Sequence, residues 1–334
     1  MKNQVISERT IIYPKVSIIT CVYNGEKYIS KLLDSVLNMG YPNIEHIIVN
    51  DGSTDLTEQI VMKYADLYKN QQNSSLCIKY INQKNTGLGG ATNTGLKEVT
   101  GEYWTWINCD DWYEKNAFSL AINFLEQNKK YSYAQLNGYR DRAGQRKLII
   151  KKDDERKMAF YDKKKLICQF ARKRKFKYTL YICRVSDYKR ICPSFFIYPS
   201  RFTQDEQFIS QIFGTLDGSL LKEPVWNFTI REDSYNLQCL DEHTKESQLM
   251  QAESVKLLDV SEKLKRTLLH ILSKPFYIQS IIQHAKKHER KECFSEYSKY
   301  LKSRKNTYLS YRLHYPDRII FYLIYALLPF KKKK

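Results

Sequence analysis

Between Val16 and Ile107 the chain alternates short β-branched runs with amphipathic stretches, and this alternation constrains the fold more than any other feature. Val16-Ser-Ile-Ile-Thr20 reads as a buried strand. Lys27 to Met39 places Ile29, Leu32, Leu33, Val36 and Leu37 at helical spacing, and Gly40 closes that helix. Ile44 to Val49 reads as a second buried strand. Asp51-Gly-Ser-Thr54 is a turn that also caps the next helix, whose apolar face is Ile60, Val61, Tyr64 and Leu67. Cys77 to Ile81 is a third strand, Leu88 to Val99 a Gly/Ala-rich helix, and Tyr103 to Ile107 a fourth strand. The order βαβαβαβ predicts an α/β fold with a mainly parallel sheet flanked by helices. Ligands of such sheets bind beyond the carboxyl ends of the strands. The polar clusters Thr20–Gly25, Asn50–Asp55, Asn85–Gly90 and Asn108–Asp111 all fall there.

Charge narrows the partner. The 334 residues carry a formal net charge of +19, which favours an anionic ligand: nucleic acid, a nucleotide sugar or an anionic membrane. A hydrophobic content of 43% supports a globular core and excludes a wholly disordered chain. No RRM, KH or helix-turn-helix signature accompanies the basic charge, so no nucleic-acid partner is expected. The eight cysteines form no CxxC pair, which argues against a zinc ribbon or thioredoxin-like site, and reduced cytosolic thiols are expected. Met1 to Pro14 has no apolar core of a leader, and no apolar run reaches the ~18 residues of a membrane span.

The region from about 112 to 240 mixes helical stretches with strands at Lys147–Lys151, Tyr178–Cys183 and Val225–Ile230. It is strongly basic at Lys163–Lys165 and Arg172–Lys177, either as a solvated face or as contact with an anionic acceptor or membrane. Asp241 to Tyr300 reads as helices, with Val255, Leu258, Leu264, Leu268, Leu269 and Ile271 as apolar positions. Ile319 to Phe330 is uncharged and aromatic-rich and is followed by Lys331–Lys334. Such a segment either docks on the core or lies in a membrane interface with its lysines on anionic headgroups.

Several residues on the rim have the right chemistry for a ligand. Asp110 and Asp111 follow a strand; taken alone they read first as a helix cap before Trp112, but beside three other polar rims the adjacent carboxylates suit Mg²⁺ or Mn²⁺ bridging to phosphates. Asp51 suits the hydrogen bonds of a base or ribose, or a turn and cap. Tyr23 suits stacking on a base. Thr86-Gly-Leu-Gly-Gly90 permits close approach of backbone to a ligand, but it fits neither a dinucleotide fingerprint nor a P-loop. His243 is a further, weaker metal or phosphate candidate.

Taken together, VSIITCVYNGEKYISKLLDSVLNMGYPNIEHIIVNDGSTD, then NTGLGGATNTGL, then GEYWTWINCDDW resemble the family 2 glycosyltransferases with the GT-A fold. The resemblance is close over about 14–113 and looser to about 240. It implies a Rossmann-like GT-A domain over 1–240, with a nucleotide-sugar-binding half at 14–113 and an acceptor-binding half at 114–240. A helical C-terminal extension occupies 241–334. It implies that Thr20, Val22, Tyr23, Asn24 and Asp51 hold a uridine, with Asn85, Gly87 and Asn93 beside the nucleotide. The D-x-D motif, read here as Asn108-Cys-Asp110, holds ribose and the metal on the diphosphate, with Asp110 and Asp111 as metal ligands. The E-D-x-x-F-like motif matches Gln204-Asp205-Glu206-Gln207-Phe208, which puts Asp205 at the catalytic base, or Glu206 in a shifted register.

Two departures stand out. Asn108 replaces the first acid of the D-x-D-D pattern, and Thr92 replaces the arginine of A-R-N. The resemblance implies an inverting, metal-dependent glycosyltransferase using Mn²⁺ or Mg²⁺ and a nucleotide sugar, a UDP-sugar first. Its acceptor would be a glycan or a polyprenyl-diphosphate-linked glycan in surface-polysaccharide assembly. The protein would sit in the cytoplasm, peripheral to the inner membrane face through its tail. The competing expectation is a non-catalytic polyanion- or membrane-binding protein on a degenerate GT-A scaffold. The Q-x-x-R-W motif of the membrane-embedded processive synthases is absent, so one sugar per encounter is expected.

Overall fold

A computed structural model of the chain describes residues 13–71, 75–151, 180–199, 204–213, 215–231, 253, 255–267, 269–270 and 290–303. The N-terminal half runs β1 (Val16–Val22), α1 (Ile29–Leu37), β2 (Ile44–Asn50), α2 (Thr57–Lys69), β3 (Cys77–Asn82), α3 (Gly87–Lys97) and β4 (Tyr103–Trp106). β1 and β2 are buried almost throughout, as continuous apolar runs require of parallel strands covered on both faces. β1 pairs with β2 and β4, and β2 with β3, all parallel.

Helix packing follows the apolar spacing. α1 buries Ile29, Leu32, Leu33 and Val36, one stripe of a 3.6-residue repeat. α3 lies close on the sheet because Gly95 has no side chain: a Cβ there would come within 2.6 Å of Ile19 Cγ2. On α2 the buried stripe is Thr57, Val61, Ala65 and Tyr68, and Leu67 is 41% exposed, contrary to the sequence expectation. The stripe turns toward Tyr68 because its ring stacks on His46 and its hydroxyl donates to the Leu33 carbonyl at 3.0 Å.

The chain then forms β5 (Trp112–Tyr113), α4 (Ala117–Gln127), β6 (Tyr133–Arg142), β7 (Gln145–Leu148), β8 (Tyr181–Arg184) and α5 (Val185–Ile191). After them come α6 (Gln204–Phe208), a π-helical turn (Ile209–Phe213), β9 (Gly218–Thr229) and α7 (Arg290–Ser303). One sheet joins both halves in the order β3-β2-β1-β4-β8-β6-β9-β5, with β7 on β6. β8 is antiparallel to both β4 and β6, β9 is parallel to β6, and β5 is antiparallel to β9. Trp104 is the hub of the core where the halves meet, in ring contact with Tyr181, Tyr188, Phe195 and Phe208.

Part of the C-terminal region docks on this core. Val255 and Leu258 are buried in the main cluster, and the Asp259 N–H donates to the Ile191 carbonyl at 2.7 Å. The basic runs Lys163–Lys165 and Arg172–Lys177, His243, Leu268, Ile271 and the segment 319–334 lie outside the described residues. Among the described residues, no helix is long and apolar enough to cross a membrane.

Candidate active site

The loops after β1, β2, β3 and β4 share one rim, and hydrogen bonds between loops fix its shape. Asn24 sits at φ +50°, a left-handed conformation that asparagine tolerates better than most residues. Its Oδ1 accepts the Thr54 N–H at 2.8 Å, and its own N–H donates to Ser53 Oγ at 2.9 Å. The Gly25 and Glu26 N–H groups donate to Thr57 Oγ1 and Asp55 Oδ2. Glu26 in turn accepts the Leu56 N–H at 2.9 Å. Asn24 is therefore the buckle between two loops. Tyr23 beside it is 56% exposed and presents its ring at the rim, while Val22 is buried beneath.

Asp51 does not cap α2, as the sequence suggests. Asp55 does that, accepting from the Thr57 N–H and hydroxyl. Asp51 reaches across to the next loop instead. Its Oδ1 accepts from Gln83 Nε2 at 2.7 Å and the Thr86 N–H at 2.9 Å, and its Oδ2 from the Gly87 N–H at 2.9 Å. Asn85 is exposed between these bonds, with Oδ1 on the Gly87 N–H at 3.2 Å. Gly52, at φ +80°, lets the β2 loop pass close to the β3 loop; a Cβ there would sit 3.1 Å from the Asn85 nitrogen. Asp51 thus binds the Asn85–Gly87 segment into place.

Two residues expected at the ligand turn inward. Thr20 is fully buried, with its hydroxyl 3.0 Å from His46 Nε2. Burial lowers the His46 pKa to about 3, so this imidazole is neutral and belongs to the core. Asn93 is also buried: its Nδ2 donates to the Ile197 carbonyl at 2.7 Å and its Oδ1 accepts the Ile197 N–H at 2.9 Å. Its amide holds the Ile197 segment against α3. Thr92, at the position of the family's arginine, bonds back to the Leu88 carbonyl and stays in the helix.

The loop after β4 separates its two aspartates. Trp112 and Tyr113 form β5 rather than a helix start, and α4 begins at Ala117, so the helix-cap reading of Asp110-Asp111 does not hold. Asp111 is 1% exposed; its Oδ1 accepts the Thr229 N–H at 2.9 Å and its Oδ2 the Asn108 amide at 3.3 Å. Burial first, and then the charge of Asp110, hold its carboxyl well above the usual range. Asp110 stays at the rim, where its Oδ2 pairs with Arg231 Nε at 2.7 Å. Arg231 in turn stacks over the Tyr28 ring at 4.6 Å.

Asp111 therefore braces the loop, and Asp110 is the more exposed carboxylate of the two. Among the described residues, no three His, Cys, Asp or Glu side chains form a metal-holding group. Mg²⁺ and Mn²⁺ need only one or two carboxylates when substrate phosphates complete their coordination, so Asp110 alone fits such an ion.

Asp205 lies on α6, partly buried. The Phe208 of the same motif packs on Trp104 and Trp106 of β4, the strand that leads to Asp110. Gln207 accepts the Tyr198 N–H and donates to its carbonyl, both at 2.9 Å. Asn93 and Gln207 thus grip consecutive residues, Ile197 and Tyr198, from α3 and α6. Sequence reasoning missed Gln83, Gln207, Thr229 and Arg231. Arg231 had a readable signal: it follows an apparent strand as a polar residue, as the other rim clusters do.

Comparison with known proteins agrees with this architecture. An uncharacterized glycosyltransferase of Rickettsia typhi is 43% identical over 114 residues, covering 34% of this chain and 33% of the relative. Glycosyltransferase GlyA of Streptococcus pneumoniae is 40% identical over 106 residues, covering 32% of this chain and 14% of the relative. The matched part of the chain thus spans a third or less of these relatives. Staphylococcus aureus TarS 1–349, solved in complex with UDP-GlcNAc, superposes with a TM-score of 0.59 at 20% identity, covering 86% of this chain and 81% of that one. The mannosyltransferase PcManGT of Pyrobaculum calidifontis, in complex with GDP-Man and Mn²⁺, gives 0.53 at 14% identity over 96% and 82%. These likenesses identify the α/β architecture as the GT-A fold. The family described as Glycosyl transferase family 2 matches residues 17–186, half of the chain, and the chain belongs to it.

Proposed function

We propose that this protein is an inverting glycosyltransferase that moves a sugar from a nucleotide sugar, a UDP-sugar first, to a hydroxyl of a glycan or polyprenyl-diphosphate-linked glycan. The observation that carries the reading is the rim carboxylate of Asp110 beside the loops buckled by Asn24 and Asp51, all at the carboxyl ends of parallel strands. Tyr23 offers a face for the base. Asn85 and Gly87, held by Asp51, line the nucleotide. Asn108 keeps an amide beside the Asp110 loop for the ribose. TarS and PcManGT, with their UDP-GlcNAc and GDP-Man, lend support to a nucleotide-sugar donor.

Asp110 would hold the divalent ion, Mn²⁺ or Mg²⁺, whose chemistry is to neutralise charge on the leaving diphosphate. Asp205 would take the proton of the acceptor hydroxyl as that oxygen attacks the anomeric carbon. One displacement on one face inverts that carbon. We assign residues 1–240 to this catalytic domain and 241–334 to a helical extension. The apolar segment Ile319–Phe330 with Lys331–Lys334 supports peripheral attachment to an anionic inner membrane face and a role in surface-polysaccharide assembly. Deleting 319–334 is expected to release the protein from anionic liposomes.

Titration calorimetry with UDP, GDP and CMP, each with and without Mn²⁺, tests the donor reading. Mn²⁺-strengthened binding of UDP over the others supports it. Binding of none of the three would overturn it and leave a polyanion-binding scaffold.

A further inference from the structure

The Asp110 loop already carries its own cation. Arg231 is the second residue after β9 and its Nε lies 2.7 Å from Asp110 Oδ2. Its guanidinium rests 4.6 Å over the Tyr28 ring, which fixes the plane of the group. Arg231 is 26% and Asp110 13% exposed at the side chain, so the pair is sheltered yet open to a ligand. The chain reaches this place by a route that holds it firmly: the Thr229 N–H is bound to Asp111, two residues ahead of Arg231.

Resting on the donor reading above, we propose that Arg231 is a resident cation for the donor's diphosphate, so that part of nucleoside-diphosphate binding survives removal of the divalent metal. The charge pattern of the loop carries this. Asn108 is neutral, and Asp111 is buried against Thr229 and Asn108, which leaves Asp110 as the rim charge. Arg231 offsets that charge. A loop presenting several uncompensated carboxylates repels a diphosphate until a metal enters. Here Arg231 already sits against the Asp110 carboxylate, and the fork of a guanidinium matches phosphate oxygens. When a diphosphate arrives, Arg231 and a metal on Asp110 neutralise it together. Arg231 is therefore a binding residue, and it accounts for the tolerance of Asn108 in the D-x-D position.

The test is calorimetry on the full chain with UDP and with uridine, in EDTA and in Mn²⁺. In EDTA the unaltered protein is expected to bind UDP about tenfold or more tighter than uridine. Arg231→Gln should bring the two ligands within about twofold of each other in EDTA, and Arg231→Lys should restore part of the difference. Asp110→Asn is the independent check, because it leaves Arg231 in place. It should abolish the gain from Mn²⁺ and tighten metal-free UDP binding by freeing the guanidinium. The proposal is overturned if UDP binds no tighter than uridine in EDTA, if Arg231→Gln keeps the difference, or if Asp110→Asn weakens metal-free binding. Failure of both ligands in Mn²⁺ would sink the donor reading itself, whereas Mn²⁺-dependent binding without the EDTA difference would sink only the role of Arg231.

Discussion

The carboxylate of Asp51 closes the N-terminus of α3: its Oδ2 accepts the backbone N–H of Gly87 at 2.9 Å, while Oδ1 takes that of Thr86. The acid thus satisfies two of the donors that a helix start leaves open and favours the positive end of the helix dipole. Asp51→Ala is expected to cost ~1–3 kcal/mol of stability by orphaning those groups. Nucleotide binding should weaken with it, because Asn85–Gly87 loses its anchor. Urea unfolding at the unaltered midpoint would refute the buttress.

Asp205→Asn should retain donor binding and lose transfer by ~10²–10⁴-fold, the usual worth of a positioned general base. Glu206→Gln serves as the register control and should leave transfer nearly intact. Paired binding and product assays decide between the two acids. Full transfer by Asp205→Asn would remove it from the base position.

Asn93 and Gln207 bind neighbouring residues of one segment, so their substitutions should couple. Asn93→Ala is expected to cost ~1–3 kcal/mol, because it strands buried backbone groups of Ile197, and Gln207→Ala less, because its bonds to Tyr198 are only partly buried. The double variant should depart from additivity by ~0.5 kcal/mol or more. In turnover, Asn93→Ala should lower kcat with little change in donor affinity, because α6 carries Asp205. Strict additivity would show the two contacts to be independent.

Glu45 sits at the end of the sheet away from the rim. Burial alone would raise its pKa, but hydrogen bonds from Lys15, Ser17 and Thr100 outweigh it and lower the value to about 2. The folded value lies below the unfolded one. Glu45 therefore contributes its stability above pH ~4.5, and that contribution is lost as pH falls toward 2. Glu45→Gln should flatten the acid limb of a stability-against-pH curve. An unchanged acid limb would refute the assignment.

The N-terminal half was legible because its signals are local. Runs such as Val16–Thr20 and Ile44–Val49 can be buried only as central strands, and the α1 spacing fixes its inner face. The errors arose where a distant partner decided the outcome. Asp51 looked like a local cap, but its partners lie 32 to 36 residues away. Asn93 looked like a ligand contact, but Ile197, 104 residues on, takes its amide. The aspartate pair looked equivalent until Thr229 claimed Asp111 and Arg231 claimed Asp110. A two-residue strand such as β5 has too few residues to show any period.

The bond from Thr229 to Asp111 joins residues 118 apart in the chain. At a synthesis rate of ~5–20 residues per second, Asp111 waits roughly 6–24 s on the ribosome before its partner exists. β1 to β4 can pair during that interval, but β5 must wait for β9, against which it zips. The Asp110 loop is thus among the last parts to take shape in a newborn chain, and a ribosome stalled before codon 218 would expose a sheet with an open edge at β6, where β9 belongs.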